Sequence, residues 1–485
     1  MAGAPAIAII GAGFGGIGMA ARLLRAGFGD VTLFEKADRI GGVWAANSYP
    51  GAACDIPAAL YSFSFAPKPD WSRRYPPQEE IRDYLEDTAR RFGVLPLIRF
   101  GTEVSDARFD DAAGDWVLTL ADGSTHRADV LISACGQLSH PSIPEIPGRE
   151  DFTGTAFHSA RWRHDHDLTG RRVAVVGTGA SAIQFVPPVA RQAAHTTLFQ
   201  REAPHVIPKP DRSYGPGLRT AFRRLPGLLA LDRAATYARL EWRALGFTRR
   251  PELLRVADRM NERLLTAQVH DPELRRVLTP QGPPGCKRIL LSDDYYAALD
   301  GPDVDVVTSP IARILPTGVL TADGAEHPAD TIIWGTGFTA TEFLTPMAVT
   351  GAGGRDLREA WRDGAEAYLG MSVAGFPNLF LLYGPNTNLG HNSIVFMLES
   401  QFRYILGAVR RIAATGTSID VRPEVQQRFA DWVQDRVTRT VWALGCSSWY
   451  RTASGRNTTN WPDFTFAYRM RTRRFDPRKY AASAR

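Results

Sequence analysis

An α/β fold of two doubly wound domains, the second carrying a helical insertion, is predicted by three observations. A glycine-rich loop, Gly11-Ala12-Gly13-Phe14-Gly15-Gly16, stands between the apolar run Ala6 to Ile10 and an Ala/Leu-rich helix through Leu24. A second loop, Gly177-Thr178-Gly179-Ala180-Ser181-Ala182, follows the apolar run Val173 to Val176. The strand expected after each loop has an echo in the other: Val31-Thr32-Leu33-Phe34-Glu35-Lys36 against Thr196-Thr197-Leu198-Phe199-Gln200-Arg201. Strand, tight glycine turn and helix aim backbone N–H groups and a helix N-terminus at a pyrophosphate, so both domains read as Rossmann-like dinucleotide-binding domains.

The residues that differ between the two echoes set the nucleotides apart. Glu35 lies about twenty residues past the first loop, where a carboxylate accepts hydrogen bonds from a ribose hydroxyl. In the second domain Gln200 removes the repulsion a carboxylate would exert on a 2′-phosphate, and Arg201 can pair with that phosphate. The first site therefore suits FAD as a resident group and the second suits NADPH as the hydride donor, the two rings meeting between the domains.

The seam is Phe152 to Ala182, which opens with Phe-x-Gly-x-x-x-His-x-x-x-Trp and ends in the second loop. The first domain is expected over 1–145 and again, with a C-terminal loop region, over 337–485. The second is expected over 146–208 and 279–336, around the insertion at 209–278. Gly41 to Asp55 is dense in glycine, proline and aromatics, as where backbone passes a flat ligand. Trp116 and Val130 to Ser133 read as strands. In the insertion Leu253, Val256, Met260, Leu264 and Ala267 recur at three- and four-residue steps and predict an amphipathic helix on that face; the insertion could cap a substrate pocket. Asp330 to Phe338 reads as a buried strand and turn, Asn378 to Leu382 as a strand, and Phe396 to Ile412 as a long helix.

Composition narrows the class. At 485 residues, with 44% hydrophobic and 22% charged, the chain fits two or three globular domains. Four scattered cysteines without a Cys-x-x-Cys pair argue against a disulfide framework, a zinc site and a redox dithiol, and favour a reducing cytoplasm. The net charge of +6 is matched by the seven basic residues against Asp476 from Arg469 onward, which reads as a solvated end rather than a nucleic-acid surface. Met1 to Ala21 is uncharged, but its glycines and its lack of a positive start argue against a membrane segment. No metal site is expected.

With these pieces in place the chain resembles the type I Baeyer–Villiger monooxygenases of the flavin-containing monooxygenase superfamily. The likeness is carried by both loops, Gly41 to Asp55, the seam residues Phe152, Gly154, His158 and Trp162, the pair Lys287-Arg288, Trp334-Gly335-Thr336-Gly337 and the Ser448-Trp449 loop. One departure is Arg163, where the family usually has Pro or Asp. The resemblance implies that Arg288 is the catalytic arginine stabilising a C4a-peroxyflavin, oriented by Asp55, and that Lys287 with Arg201 holds the NADPH 2′-phosphate. It implies a mobile loop bearing Trp449 over the nicotinamide and a domain-coupling His158. The set for FAD becomes Gly11, Gly13, Phe14, Gly16, Glu35, Lys36, Gly42, Val43, Trp44, Asp55, Tyr61 and Val104; that for NADPH is Gly177, Thr178, Gly179, Ala180, Ser181, Ala182, Gln200, Arg201, Lys287, Arg288 and Trp449. The expected reaction converts a ketone, with molecular oxygen, to an ester or lactone. Alternatives from the same folds are N- or S-oxygenation, a disulfide reductase, which lacks its paired cysteines here, and a non-catalytic NADPH sensor.

Overall fold

The computed structural model describes residues 4–445, 450–452 and 455–483. The first sheet is five parallel strands in the order Leu379–Leu381, Val130–Ser133, Ile7–Ile10, Val31–Phe34, Ile98–Arg99. Ile7 is in register with both Val31 and Val130, so the first loop leaves the middle of the sheet at its C-terminal edge, where nucleotides bind in doubly wound folds. The helix Phe14–Arg25 follows, burying Ile17, Met19, Ala20, Ala21 and Leu23 completely. Burying each of the larger side chains contributes about 1.5–3 kcal/mol.

The second sheet repeats the plan with Val304–Val307, His195–Phe199, Arg172–Val176, Thr331–Trp334 and Thr155–His158, all parallel. Its last strand is part of the seam. Thr155–His158 adds to the sheet edge beside Thr331–Trp334, so the chain enters the second domain before the glycine loop begins. The strands around Trp116 form a four-stranded sheet, Ala348–Thr350, Val104–Asp110, Asp115–Leu120, Thr125–Ala128, that packs on the first domain.

The insertion is helical, with Pro216–Arg224, Pro226–Thr248, Arg255–Gln268 and Pro272–Leu278. The helix expected after Pro251 is present, but its buried face is Ala257, Asn261 and Leu265, while Leu253 and Val256 are exposed. A polar residue in the buried stripe misled the hydrophobic periodicity. Asn261 donates to the Val206 carbonyl at 2.8 Å and to the Tyr296 hydroxyl at 2.6 Å, which offsets its burial.

One further expectation is refined and one is corrected. The basic C-terminus is ordered, with Thr465–Arg471 helical and Tyr480–Ser483 paired antiparallel with Ser418–Val421, while Arg471, Arg473, Arg474 and Arg478 are exposed as expected. Arg471 lies 4.1 Å over the Trp432 ring and Arg469 4.9 Å over Phe396, so part of the charge is spent on aromatic faces. Cys54 and Cys135 are free thiols but Cys286 is disulfide-bonded, which the scatter of cysteines along the chain did not suggest. Bonding depends on which loops meet in space, not on sequence spacing. Among the described residues no helix is long and apolar enough to cross a membrane.

Candidate active site

Each glycine loop is shaped by a close approach. A side-chain carbon at Gly16 would fall 1.9 Å from the Gly11 carbonyl oxygen, and one at Gly177, whose φ is +107°, would fall 2.5 Å from that of Gly335. Only glycine permits these turns. In the first loop Gly13 precedes the helix, and Phe14 opens it, packing edge-on against Tyr61 at 5.0 Å. Glu35 is buried at the end of its strand and accepts from the Ala12 N–H at 2.7 Å and the Ala37 N–H at 2.9 Å. Lys36 beside it is exposed. Val104 starts the strand that follows Thr102, whose N–H donates to the Glu35 carbonyl at 2.9 Å. Gly42 and Val43 begin a short helical turn over the loop, and Trp44 donates its Nε1–H to the Tyr61 hydroxyl at 3.1 Å.

The second loop stands more open. Ala180 is exposed, Gly177, Thr178 and Ser181 are half-buried, and Ala182 starts the helix Ala182–Gln192. Gln200 and Arg201 separate here. Gln200 is buried and donates to the Val277 carbonyl at 3.0 Å, whereas Arg201 is exposed. Lys287 reaches the same corner and is paired with Glu202. Trp449 lies outside the described residues.

Asp55 and Arg288 are far apart in sequence and meet where the domains face each other. Arg288 donates through Nε at 2.9 Å and Nη2 at 2.5 Å, both to Oδ2 of Asp55. The neighbouring carboxylate raises the guanidinium pKa against the opposing effect of burial, so the cation is held at any working pH. Two tyrosines that the sequence did not single out complete the surroundings. Tyr383 and Tyr450 both feel the charges of Arg288 and Asp55, and burial pushes the Tyr450 phenol up to about 12, so it stays protonated. Tyr383 donates its hydroxyl hydrogen to Asn388 Oδ1 at 2.6 Å.

The loop bearing Asp55 is fastened to the second domain. Gln184, on the helix after the second glycine loop, accepts from the Tyr49 hydroxyl at 3.1 Å and donates to the Ala53 carbonyl at 2.9 Å. Trp162 of the seam packs between Phe185 at 5.4 Å and Tyr49 at 6.4 Å. Neither Gln184 nor its role is visible in the sequence, because the contact joins segments from different domains. His158 is buried; its Nδ1 accepts from the Ala160 N–H at 3.1 Å and its Nε2 donates to the Gly337 carbonyl at 3.0 Å. Burial lowers its pKa, which fixes it as a neutral strut between the seam and the returning chain. Arg163 is satisfied locally by Asp165 at 2.7 Å. An open cleft of about 760 Å³ lies behind the Asp55 loop, lined in part by Tyr49, Tyr75, Gln184 and Lys209; it does not include the ion pair.

Comparisons with known proteins match this chain and its fold. Residues 4–223 match the family model described as flavin-binding monooxygenase-like. A Baeyer–Villiger monooxygenase of Pseudomonas aeruginosa is 45% identical over 98% of this chain and 90% of its own length. One of Streptomyces coelicolor is 46% identical over 98% and 92%. Among solved structures, OTEMO in complex with FAD and NADP is 27% identical with a TM-score of 0.89, covering 100% of both chains. An oxidized steroid monooxygenase bound to NADP is 30% identical with a TM-score of 0.87, covering 99% of both. By sequence over almost its whole length, and by the fold that brings residues 55 and 288 together, the chain belongs to the Baeyer–Villiger monooxygenases.

Proposed function

We propose that Arg288 and Asp55 form the catalytic pair of this Baeyer–Villiger monooxygenase, which uses FAD and NADPH to convert a ketone, molecular oxygen and a proton to an ester or lactone, NADP⁺ and water. The observation that carries the assignment is the Arg288–Asp55 pair, which joins residues 233 positions apart in sequence. When bound, NADPH supplies electrons and FAD the site of oxygen activation. The residues fit both groups. Glu35 spends one acceptor position of each oxygen on a backbone N–H and keeps others for ribose hydroxyls. Gly11, Gly13 and Gly16 shape the first turn, with Phe14, Lys36, Gly42, Val43, Trp44, Tyr61 and Val104 around it.

At the second loop, Gly177 to Ala182 offer backbone to the diphosphate, and Arg201 with Lys287 offers charge to the 2′-phosphate. Gln200, turned inward, serves by not being a carboxylate. Asp55 occupies Nε and Nη2 of Arg288, leaving the Nη1 hydrogens to meet negative charge that develops during oxygen insertion. Half-buried Tyr383 and buried Tyr450 keep water from this edge. Trp449 is proposed to close over the nicotinamide.

Two experiments test this reading. The yellow holoenzyme, given NADPH, oxygen and a panel of ketones, sulfides and amines, is expected to yield esters or lactones from some ketones by mass; products confined to N-oxides or sulfoxides would move it to heteroatom oxygenation. Arg201→Ala is expected to raise the KM for NADPH about tenfold or more with little change in kcat, the pattern of lost uniform binding. An unchanged KM would remove Arg201 from the phosphate site.

A further inference from the structure

The long helix of the insertion, Pro226–Thr248, is apolar on two opposite faces. One packs on the protein through Leu240, Ala244 and Phe247, which are buried. The other repeats at steps of three and four residues through Leu228, Leu231, Ala235, Ala238 and Trp242. Every one of these is exposed, Leu231 to 64% and Trp242 to 73%. A helix that is apolar all round is one that is covered all round, and here protein covers a single side. At 1.5 Å per residue the exposed stripe is about 21 Å long.

The stripe continues past the helix. A side-chain carbon placed on Gly246, one turn beyond Trp242, would lie 3.8 Å from Cβ of Leu253, and Leu253 and Val256 are both exposed. On the neighbouring flank, Glu241 accepts from the Phe466 N–H at 3.0 Å and sets the helix Thr465–Arg471 alongside, where Phe466 and Met470 are exposed. Contiguous apolar surface of this kind, rimmed by charge, marks an interaction site.

The rim is basic. Arg224 precedes the stripe, Arg239 flanks it, and Arg255 and Arg259 follow it, all exposed. Among the described residues none of these four has a carboxylate within ion-pair distance, whereas Arg223 is held by Asp70 at 3.6 Å and Arg250 by Glu252 at 3.5 Å. Between residues 223 and 263 the exposed acids are Glu252 and Glu262. Uncompensated cations around an apolar face fit a partner that is apolar within and anionic at its edge. A second copy of this chain does not fit, because a two-fold interface sets the basic rim against its own copy. An anionic bilayer does, with acyl chains for Leu231 and Trp242 and headgroup phosphates for the arginines.

We propose that this face lies on the surface of an anionic lipid bilayer, with the stripe from Leu228 to Trp242, Leu253 and Val256 sunk to the boundary of headgroups and acyl chains. The attachment is to one leaflet, since among the described residues no helix is long and apolar enough to cross. It goes beyond the Baeyer–Villiger reading and stands without it.

The test is flotation of the yellow holoenzyme with vesicles, bound protein being read from flavin absorbance. Vesicles of phosphatidylglycerol and phosphatidylcholine in equal parts are expected to carry the protein, and pure phosphatidylcholine to carry at least about fivefold less. Added salt should release it, by screening the attraction between arginine and phosphate. Leu231→Gln/Trp242→Gln should bind the anionic vesicles about tenfold or more weakly, the scale of two apolar side chains returned to water. Arg239→Gln/Arg255→Gln/Arg259→Gln should lose the preference for anionic lipid and keep the weaker binding to both. Flavin content and thermal unfolding of both variants should match the native protein, since these side chains face solvent. Native protein left behind by anionic vesicles, or floated equally by both lipids, would overturn the proposal. So would flotation of both variants like the native protein. A dimer dispersed by Leu231→Gln/Trp242→Gln, with no flotation, would give the face to a second copy and overturn it as well.

Discussion

Arg288→Ala is expected to remain yellow and to lose ester formation by about 10²–10³-fold in kcat, the loss typical of removing a donor aimed at developing negative charge. Flavin should be retained because the hydrogen-bond partner of Arg288 is Asp55, not a residue of the first glycine loop. NADPH should still be consumed, with its electrons appearing as hydrogen peroxide rather than ester. The variant also leaves Asp55 without its cation, which disfavours negative charge beside it and deepens the loss. Arg288→Lys should recover little, since an ammonium cannot replace the Nε and Nη2 fork. Full ester yield from the alanine variant would remove residue 288 from the chemistry.

Gly16→Ala should abolish flavin binding and cost several kcal/mol of stability, about the scale of a severe backbone clash. The added carbon would lie 1.9 Å from the Gly11 carbonyl oxygen, and backbone cannot yield as a flexible side chain does. The strand-to-helix turn must open, and the N–H groups it aims at the diphosphate go with it. Gly29→Ala is the control, because a carbon there meets nothing within 4 Å. Absorbance of bound flavin per chain and thermal unfolding read both effects; a yellow Gly16→Ala protein of native stability would refute the assigned turn.

Local features were legible in the sequence and tertiary ones were not. Both glycine loops, Glu35 and Arg201 could be read because a strand, a turn and the end of the next strand lie within one unit. Arg288 and Asp55 are separated by 233 positions, and only the likeness to a family joined them before the fold did. Gln184, Tyr383 and Tyr450 carry no local signature; each is placed by what a distant segment brings to it. The helix Arg255–Gln268 was found but turned to the wrong face, because Asn261 is buried by its hydrogen bonds rather than by hydrophobicity. The exposure of the C-terminal charge was legible, but composition does not reveal that Arg469 and Arg471 also cover aromatic rings.

The fastening of the Asp55 loop to Gln184 and Trp162 makes assembly a checkpoint for reactivity. Each half can present a cradle for its own nucleotide, yet the carboxylate comes from one half and the guanidinium it steers from the other. A displacement of about 1 Å between them is enough to take two hydrogen bonds out of range. On the proposed role of Arg288 and Asp55, oxygen insertion is expected only of the docked pair of domains, and a fragment containing either one alone is expected to form no ester.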